Sequence, residues 1–450
     1  MADNYDLMVI GAGMAGAAAA TKSASKGWRV AIVDALPYGG TCALRGCDPK
    51  KILRRGAEVV EAARLMRGKG IDNGELTINW GDLMKHKHGF TDPVPHSMEE
   101  DLQAHGVETL HGTATFTGPT QVDIAGTHYK ASNILVATGA VPRALDFPGH
   151  EHLIDSSDFL NLEALPPRIV FVGGGFISFE FAHIAARAGS TPTIIDRGAI
   201  PLRAFDADLV ELLIKRGSDV GVDVRRRTSI TGVTKTGSGY KVHIDTAGTP
   251  AEIDADLIVH GAGRVPELSR LDLEAGQVAY GDRGIEVAHH LQSTTNPAVY
   301  AAGDAAHTAG MPLTPVAVIE AKVAASNMLK STTTAPDYAA TPTAVFTIPE
   351  LVRLGMLEHE ARDSGLNIDV RYTETGGWYS NYRIGETAGA TKILVDQATD
   401  LIIGAHLFGN DYAELANTIS VAMKHRLTTR QLKSTTAVYP STGSDLASIL

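Results

Sequence analysis

The chain has 450 residues, 44% of them apolar and 20% charged, with a formal net charge of −11; that length exceeds one ordinary core and implies two to four domains. The acidic balance argues against a nucleic-acid partner. Met1-Ala2-Asp3-Asn4-Tyr5-Asp6 lacks a basic signal-peptide start and the apolar stretch Leu7 to Ala20 is broken by three glycines, so the expectation is a cytoplasmic protein with no membrane partner.

Tyr5 to Ile10 reads as a short buried strand. Gly11-Ala12-Gly13-Met14-Ala15-Gly16 follows, then an alanine-rich helix to Lys26 and a second strand, Arg29 to Val33, closed by Asp34. This is a G-x-G-x-x-G fingerprint inside a whole βαβ unit. Gly11 permits the turn, Gly13 lets the backbone approach a pyrophosphate, and Gly16 lets helix and strand pack. The helix start supplies the field for the phosphates, and Asp34 is placed to hold a ribose hydroxyl.

The only two cysteines follow, in Gly39-Gly40-Thr41-Cys42-Ala43-Leu44-Arg45-Gly46-Cys47-Asp48-Pro49-Lys50-Lys51. No third cysteine exists for either to bridge. Structural cross-links gain from long loops, so a bridge this short is better suited to opening and closing. A thiol pair in a reducing compartment also points to catalysis. The plain alternative is two reduced, buried thiols packed as small apolar groups in a helix.

A helical stretch after Trp80 leads into Lys87-His88-Gly89-Phe90-Thr91-Asp92-Pro93-Val94-Pro95-His96, where Phe90 and His96 are candidates to line a substrate pocket. A surface histidine is the alternative for His96. The pairs His86/His88 and His289-His290 lack completing cysteines or carboxylates, so no metal is expected.

The dinucleotide pattern then repeats. Arg168 to Val172 is a strand, Gly173-Gly174-Gly175-Phe176-Ile177-Ser178 a glycine turn, Phe179 to Ala188 a helix and Thr191 to Ile195 the next strand. Two nucleotide folds in one chain imply electrons passing from a nicotinamide to a flavin. Asp196 would grip the free ribose of NADH, whereas Arg197 and Arg203 would pair with a 2′-phosphate. Two arginines against one carboxylate tilt the reading to NADPH, with NADH left open.

The cysteine phrase, both fingerprints and their order resemble the flavoprotein disulfide reductases, a family that includes glutathione reductase, dihydrolipoyl dehydrogenase and mercuric reductase. Asn133-Ile134-Leu135-Val136-Ala137-Thr138-Gly139 looks like the strand leaving the family's FAD domain. Tyr300-Ala301-Ala302-Gly303-Asp304 looks like the motif whose carboxylate meets the ribityl chain, and Met311-Pro312-Leu313-Thr314-Pro315 like the segment along the flavin. The stretch from Phe346 onward resembles the interface domain, with strands Thr391–Val395 and Leu401–His406 turned at Asp400.

The resemblance implies an α/β chain with two Rossmann-like dinucleotide-binding domains and an α+β C-terminal dimerisation domain. Its boundaries would be 1–146 and 267–335 for a split FAD domain, 147–266 for NAD(P)H and 336–450 for a homodimer interface. Leu145 to His150 is a Pro/Gly exit and Ser331 to Pro336 a polar linker.

The resemblance also assigns roles. Gly11, Gly13, Gly16, Asp34, Gly40, Thr41, Thr138, Gly139, Gly303, Asp304 and Thr314 would hold FAD. Gly173, Gly175, Phe176, Asp196, Arg197, Arg203 and Gly263 would hold NADPH, with Phe176 where relatives often place a tyrosine lid. Cys47 would be the flavin-facing thiolate and Cys42 the thiol that attacks substrate. A helix start and Lys50 would lower both pKa values. Lys50 and Glu180 match the family's ion pair near the flavin N5, an ordinary salt bridge being the alternative.

The C-terminus departs from the family. Where relatives carry His-Pro-Thr-x-x-Glu, supplied by the partner subunit, this chain has Tyr439-Pro440-Ser441-Thr442-Gly443-Ser444, with Asp445 one residue further. A phenol is a poor base at neutral pH but can give a proton to a leaving thiolate. Tyr439 therefore argues for reduction of a disulfide and against oxidation of a dithiol; simple packing at the dimer interface is the alternative. The chain ends Leu446-Ala447-Ser448-Ile449-Leu450 without the extra cysteines of mercuric reductase or large thioredoxin reductases. Thr21 and Lys322 stand where glutathione reductases place arginines, which weakens the case for glutathione disulfide.

The expectation is an NADPH-dependent FAD enzyme reducing a low-molecular-weight disulfide or similar thiol-reactive oxidant. Direct flavin reduction of quinones or other acceptors is the alternative, and a non-enzymatic redox sensor a third reading.

Overall fold

From Leu7 to Ile10 every residue of the first strand, Asn4–Ile10, is buried, the pattern of a strand covered on both faces. It lies between two parallel neighbours, Val30–Asp34 and Thr127–Val136, with Leu7 opposite Val30 and Asn133. Val107–His111 extends the sheet beyond Val30–Asp34, and Val299–Ala301 pairs in parallel with Thr127–Val136. The hairpin strands Gln121–Ile124 and Ala114–Gly118 complete seven strands. Gly11, Ala137 and Ala302 consequently leave the sheet at one edge, where α/β folds place their ligands.

The computed structural model describes residues 4–72, 74 and 76–450. These divide into two compact units: the chain to Lys51 with Lys85–Arg143 and Arg264–Tyr338, and Ile52–Met84 with Ala144–Gly263 and Ala339–Leu450. The seven-stranded sheet belongs to the first unit. There, Ala19 and Ala20 of the Met14–Ala24 helix share a core cluster with Ala321, Ala324 and Ala325 of the Thr314–Lys330 helix. Methyl-sized side chains let those helix backbones approach closely.

The second unit contains a four-stranded parallel sheet in the order Asp223–Arg225, Thr191–Ile195, Arg168–Val172, Leu257–His260. A three-stranded antiparallel sheet, Thr228–Thr236, Gly239–Thr246 and Thr249–Ala255, follows it in sequence. The last hundred residues build a five-stranded antiparallel sheet in the order Thr343–Val345, Glu350–Gly355, Leu401–Gly409, Ala390–Asp396, Ile368–Glu374. Leu415, Ala416, Ile419 and Ala422 of the Tyr412–Lys424 helix join Ile393, Ala405 and Leu407 in its core.

Three local expectations change. The first helix ends at Ala24, because Gly27 at φ +82° turns the chain before the next strand. The second nucleotide helix starts at Phe176, with Gly175 as its cap, so Phe176, Ile177 and Ser178 are helical. The cysteines lie on two helices, Gly40–Arg45 and Cys47–Leu65, broken at Gly46. No described helix is long and apolar enough to cross a membrane.

Candidate active site

The first glycine turn is defined by what a side chain would strike. Gly11 sits at φ +108°, and a Cβ there would collide with the Ala137 carbonyl; one on Gly16 would collide with the Gly11 carbonyl. Gly13 has open space on its side apart from the Gly40 Cα, 3.7 Å from where its Cβ would stand, while a Cβ on Gly40 would come within 2.5 Å of the Gly13 Cα. The glycines thus bring the starts of the Met14–Ala24 and Gly40–Arg45 helices together. The Met14–Ala24 and Thr314–Lys330 helices both begin without a capping side chain or an acid in the first turn. Their unneutralised N–H dipoles beside a side-chain-free loop fit the diphosphate of a dinucleotide.

Asp34 closes its strand, and each of its oxygens accepts a backbone N–H. Oδ2 accepts from Ala12 N–H at 2.7 Å and Oδ1 from Leu36 N–H at 2.8 Å. Thr41 is exposed at the start of the Cys42 helix. Thr138 Oγ1 donates to Glu267 O at 2.7 Å, and Gly139, at φ +72°, accepts from Glu267 N–H at 3.0 Å. Gly303, at φ +68°, opens the turn that carries Asp304. Burial pushes the Asp304 carboxyl up, partly opposed by Arg264.

Cys47 is exposed at the first residue of a 19-residue helix; Cys42 is half-buried. The neighbouring Cys42 thiol is the first cause that lowers Cys47 to about 6. Partial desolvation by the surrounding protein opposes the shift, while the Thr314 hydroxyl, 3.7 Å from Cys47 Sγ, and the cations of Lys50 and Lys51 support it. Cys42 moves the other way. Its proton is held by the bond to Cys47 and its anion is disfavoured by burial, so its pKa rises. The expectation that both thiols are acidified is corrected: the pair loses its first proton from Cys47. Lys50 is buried one turn into the same helix.

In the second unit a Cβ on Gly173, at φ +99°, would lie 2.6 Å from the Ala262 Cα, and one on Gly174 would lie 2.8 Å from the Asp196 carboxylate. The Phe176–Arg187 helix again starts at a glycine, without a capping side chain or first-turn acid. Phe176 is 47% exposed at that start. Asp196 is buried, whereas Arg197 and Arg203 are exposed, and the Arg203 guanidinium lies over Gly198. Gly263, at φ +106°, has no atom within 4 Å of where a Cβ would stand. Glu180 is buried, and its Oε1 accepts from Phe346 N–H at 2.9 Å.

Tyr439 is 79% exposed. Ser444, at the glutamate position, spends its hydroxyl locally: it donates to Ser441 O at 2.6 Å and accepts from Ser441 N–H at 3.2 Å. Asp445 Oδ2 is buried without a hydrogen-bond partner. Pro440 to Gly443 wall a cleft of about 650 Å³ with Tyr379, Arg383 and Glu414. In the first unit Phe90 is exposed, and His96, on the Val94–Ala104 helix, pairs with Glu100 at 3.1 Å. Among the described residues no three His, Cys, Asp or Glu side chains gather as a metal-ligand set.

Sequence reasoning assigned Thr314 to the flavin and missed its hydroxyl at the Cys47 sulfur, 267 positions away. It also missed Glu320, a carboxylate buried in the same helix. Its visible signal was a lone acid in an otherwise apolar first half of that helix.

Comparison with known proteins defines the class. Residues 5–321 match the family described as pyridine nucleotide-disulphide oxidoreductase, and residues 341–447 match its dimerisation domain. The chain belongs to this family and is an NAD(P)H-dependent flavoprotein disulfide oxidoreductase. It is 30% identical to a glutathione reductase of Burkholderia cepacia, covering 99% of this chain and 98% of the relative. It is 32% identical to a dihydrolipoyl dehydrogenase of Thermus scotoductus, covering 98% and 96%. Among solved structures it is similar to the HOCl-induced flavoprotein disulfide reductase RclA from Escherichia coli in its Cu(II) complex, with a TM-score of 0.90, 25% identity and 99% of each chain covered.

Proposed function

We propose that this protein is an NADPH-dependent, FAD-containing homodimeric reductase of a low-molecular-weight disulfide or related thiol-reactive oxidant, working through Cys42 and Cys47. The observation that carries this reading is the thiol pair itself: Cys47 exposed at the first residue of a helix, 3.7 Å from the Thr314 hydroxyl and held down to about 6 with the Cys42 thiol as the first cause. FAD, when bound, would supply the two-electron transfer from reduced nicotinamide that opens the Cys42–Cys47 disulfide to a dithiol. The first glycine turn with Asp34, Gly40, Thr41, Thr138, Gly139, Gly303 and Asp304 would hold it.

The remaining steps belong to the side chains. As Cys42 attacks a substrate sulfur, its proton passes to Cys47, the base already hydrogen-bonded to it. The substrate S–S bond breaks, a Cys42–substrate mixed disulfide forms, and the first thiolate leaves with a proton that Tyr439 of a second copy is suited to donate. Cys47, after returning its proton to the Tyr439 phenolate, attacks the Cys42 sulfur, which restores the intramolecular disulfide and releases the second thiolate. Lys50 and Lys51 stabilise the Cys47 anion between these steps. The domain reading stays that of the sequence: a split FAD domain over 1–146 and 267–335, an NAD(P)H domain over 147–266 and an interface domain over 336–450.

NADPH is preferred over NADH because Arg197 and Arg203 offer exposed positive charge, while the competing Asp196 is withdrawn against Gly174. Thr21 and Lys322 in place of arginines disfavour glutathione disulfide as the substrate. The second reading, reduction of a quinone or metal complex by the flavin without the cysteines, is supported by the Cu(II) named in the RclA structure. Anaerobic NADPH reduction followed by a panel of oxidised thiols, quinones and Cu(II) separates the two. Cys42→Ser abolishes turnover with the physiological oxidant under the first reading and spares it under the second.

A further inference from the structure

Glu320 is a carboxylate with 1% exposure that the catalytic reading does not use. Its Oε2 accepts the Gly303 N–H at 2.7 Å, and its Oε1 accepts both the Thr308 and Tyr338 hydroxyls at 2.7 Å. These three hydrogen bonds go to three other segments: the turn after Val299–Ala301, the following loop, and the stretch beyond the Thr314–Lys330 helix. That stretch folds back on the same helix, where Asn327 accepts from Thr334 N–H at 3.0 Å and donates to Thr334 O at 2.8 Å.

The Gly303 bond has the sharpest consequence. Gly303 at φ +68° turns the chain into the short helix bearing Asp304, and packing confines it, since a Cβ would lie 3.1 Å from the Ala317 Cβ. Fixing the Gly303 N–H fixes the Ala302–Gly303 peptide plane from which the chain enters the turn bearing Asp304. Six residues earlier on the same helix, about 9 Å away at an α-helical rise of ~1.5 Å per residue, Thr314 meets Cys47. One rigid helix thus carries the group that touches the thiolate and the group that grips the Gly303–Asp304 turn.

We propose that Glu320 is a positioning residue that holds the Gly303–Asp304 turn for FAD and, through the Thr314–Lys330 helix, keeps that turn in register with Cys47. The inference rests on the cofactor reading above. It predicts that an acceptor at the Gly303 N–H matters more than the negative charge, because Gln can present one amide oxygen there while the Thr308 and Tyr338 hydroxyls rotate to accept.

The test compares wild type, Glu320→Ala, Glu320→Gln and Tyr338→Phe by FAD titration of the apoprotein, apoprotein melting temperature, and the long-wavelength thiolate–flavin absorption after two-electron reduction. Glu320→Ala is expected to weaken FAD binding at least tenfold and to diminish the band, with Glu320→Gln and Tyr338→Phe within about threefold of wild type. Glu320→Asp, too short to span all three donors, serves the same comparison if the alanine variant does not fold. If Glu320→Ala or Glu320→Asp lowers only the melting temperature, with FAD affinity and band unchanged, Glu320 is a core staple and the inference is overturned. Glu320→Gln as weak as Glu320→Ala also overturns it. Wild-type apoprotein that takes up no FAD overturns the cofactor reading itself, and this inference with it.

Discussion

Replacing Cys42 by Ala removes the donor that contributes most to the acidity of Cys47. With Cys47 at about 6, roughly 90% of it is thiolate at pH 7, whereas an ordinary cysteine near ~8.5 is only ~3% thiolate. Thr314, Lys50 and Lys51 remain in the variant, but the burial that opposes them remains too. Since the thiolate is the nucleophile, alkylation of Cys47 at pH 7 should slow by up to ~30-fold. The assay is the pH dependence of iodoacetamide labelling of the reduced holoenzyme, read by mass spectrometry. In wild type the rate should rise with pH through about 6; in Cys42→Ala the midpoint should move toward 8 or above, as is ordinary for the thiol. Cys42→Ser keeps a hydroxyl donor and should fall between. A Cys42→Ala midpoint still near 6 would refute the argument that the Cys42 S–H holds Cys47 down.

Gly16→Val would drive a branched side chain into the Gly11 carbonyl; it should cost about 3 kcal/mol or more and leave purified protein without flavin, as read by the visible spectrum. In the second unit, burial raises Glu61, but Arg187, Arg64 and Arg216 outweigh it and hold the carboxyl down to about 2. Its contribution to stability is therefore present above the ordinary carboxylate range and lost as pH falls toward 2, a slope that urea titrations across that range should show and Glu61→Gln should flatten. Arg216 bonds both Glu61 and the fully buried Glu386, so Arg216→Met should cost about 3–5 kcal/mol by urea unfolding at pH 7; a cost below ~1 kcal/mol would show the buried charges find other partners. Arg197→Ala with Arg203→Ala should raise the KM for NADPH about 10-fold or more while leaving that for NADH nearly unchanged, consistent with the loss of charge-assisted bonds. Tyr439→Phe should lower turnover with a disulfide by about 10²-fold and Tyr439→His should restore it; equal rates for Tyr439→Phe and wild type would assign the ring to packing.

The α/β architecture was legible because both nucleotide folds announce themselves locally. Gly11, Gly16 and Gly173 stand where the close approach of Ala137, Gly11 and Ala262 admits nothing larger, so short-range sequence reported a long-range constraint. The strand pair turned at Asp400 was readable for a similar reason: Asp400 takes φ +58° between Ala390–Asp396 and Leu401–Gly409. What the sequence concealed lies in contacts between distant segments. Spacing alone cannot tell that Thr314 reaches Cys47, that Glu320 spends its carboxylate on Gly303 and Tyr338, or that Arg187 and Arg216 converge on Glu61. The opposite shifts of the two thiols were also hidden: Lys50 and a helix start are visible in the sequence, but the pairing of the two sulfurs and the desolvation of Cys42 are not.

The central claim, that electrons pass through the cysteine pair as well as the flavin, is tested most directly by counting them. In an anaerobic titration with NADPH the holoenzyme should take up two equivalents before the flavin is fully bleached, one for the disulfide and one for the flavin. A long-wavelength band should appear after the first equivalent, and Cys47→Ser should take up a single equivalent without that band. Full bleaching of the wild-type flavin by one equivalent, with no intervening band, would contradict the account.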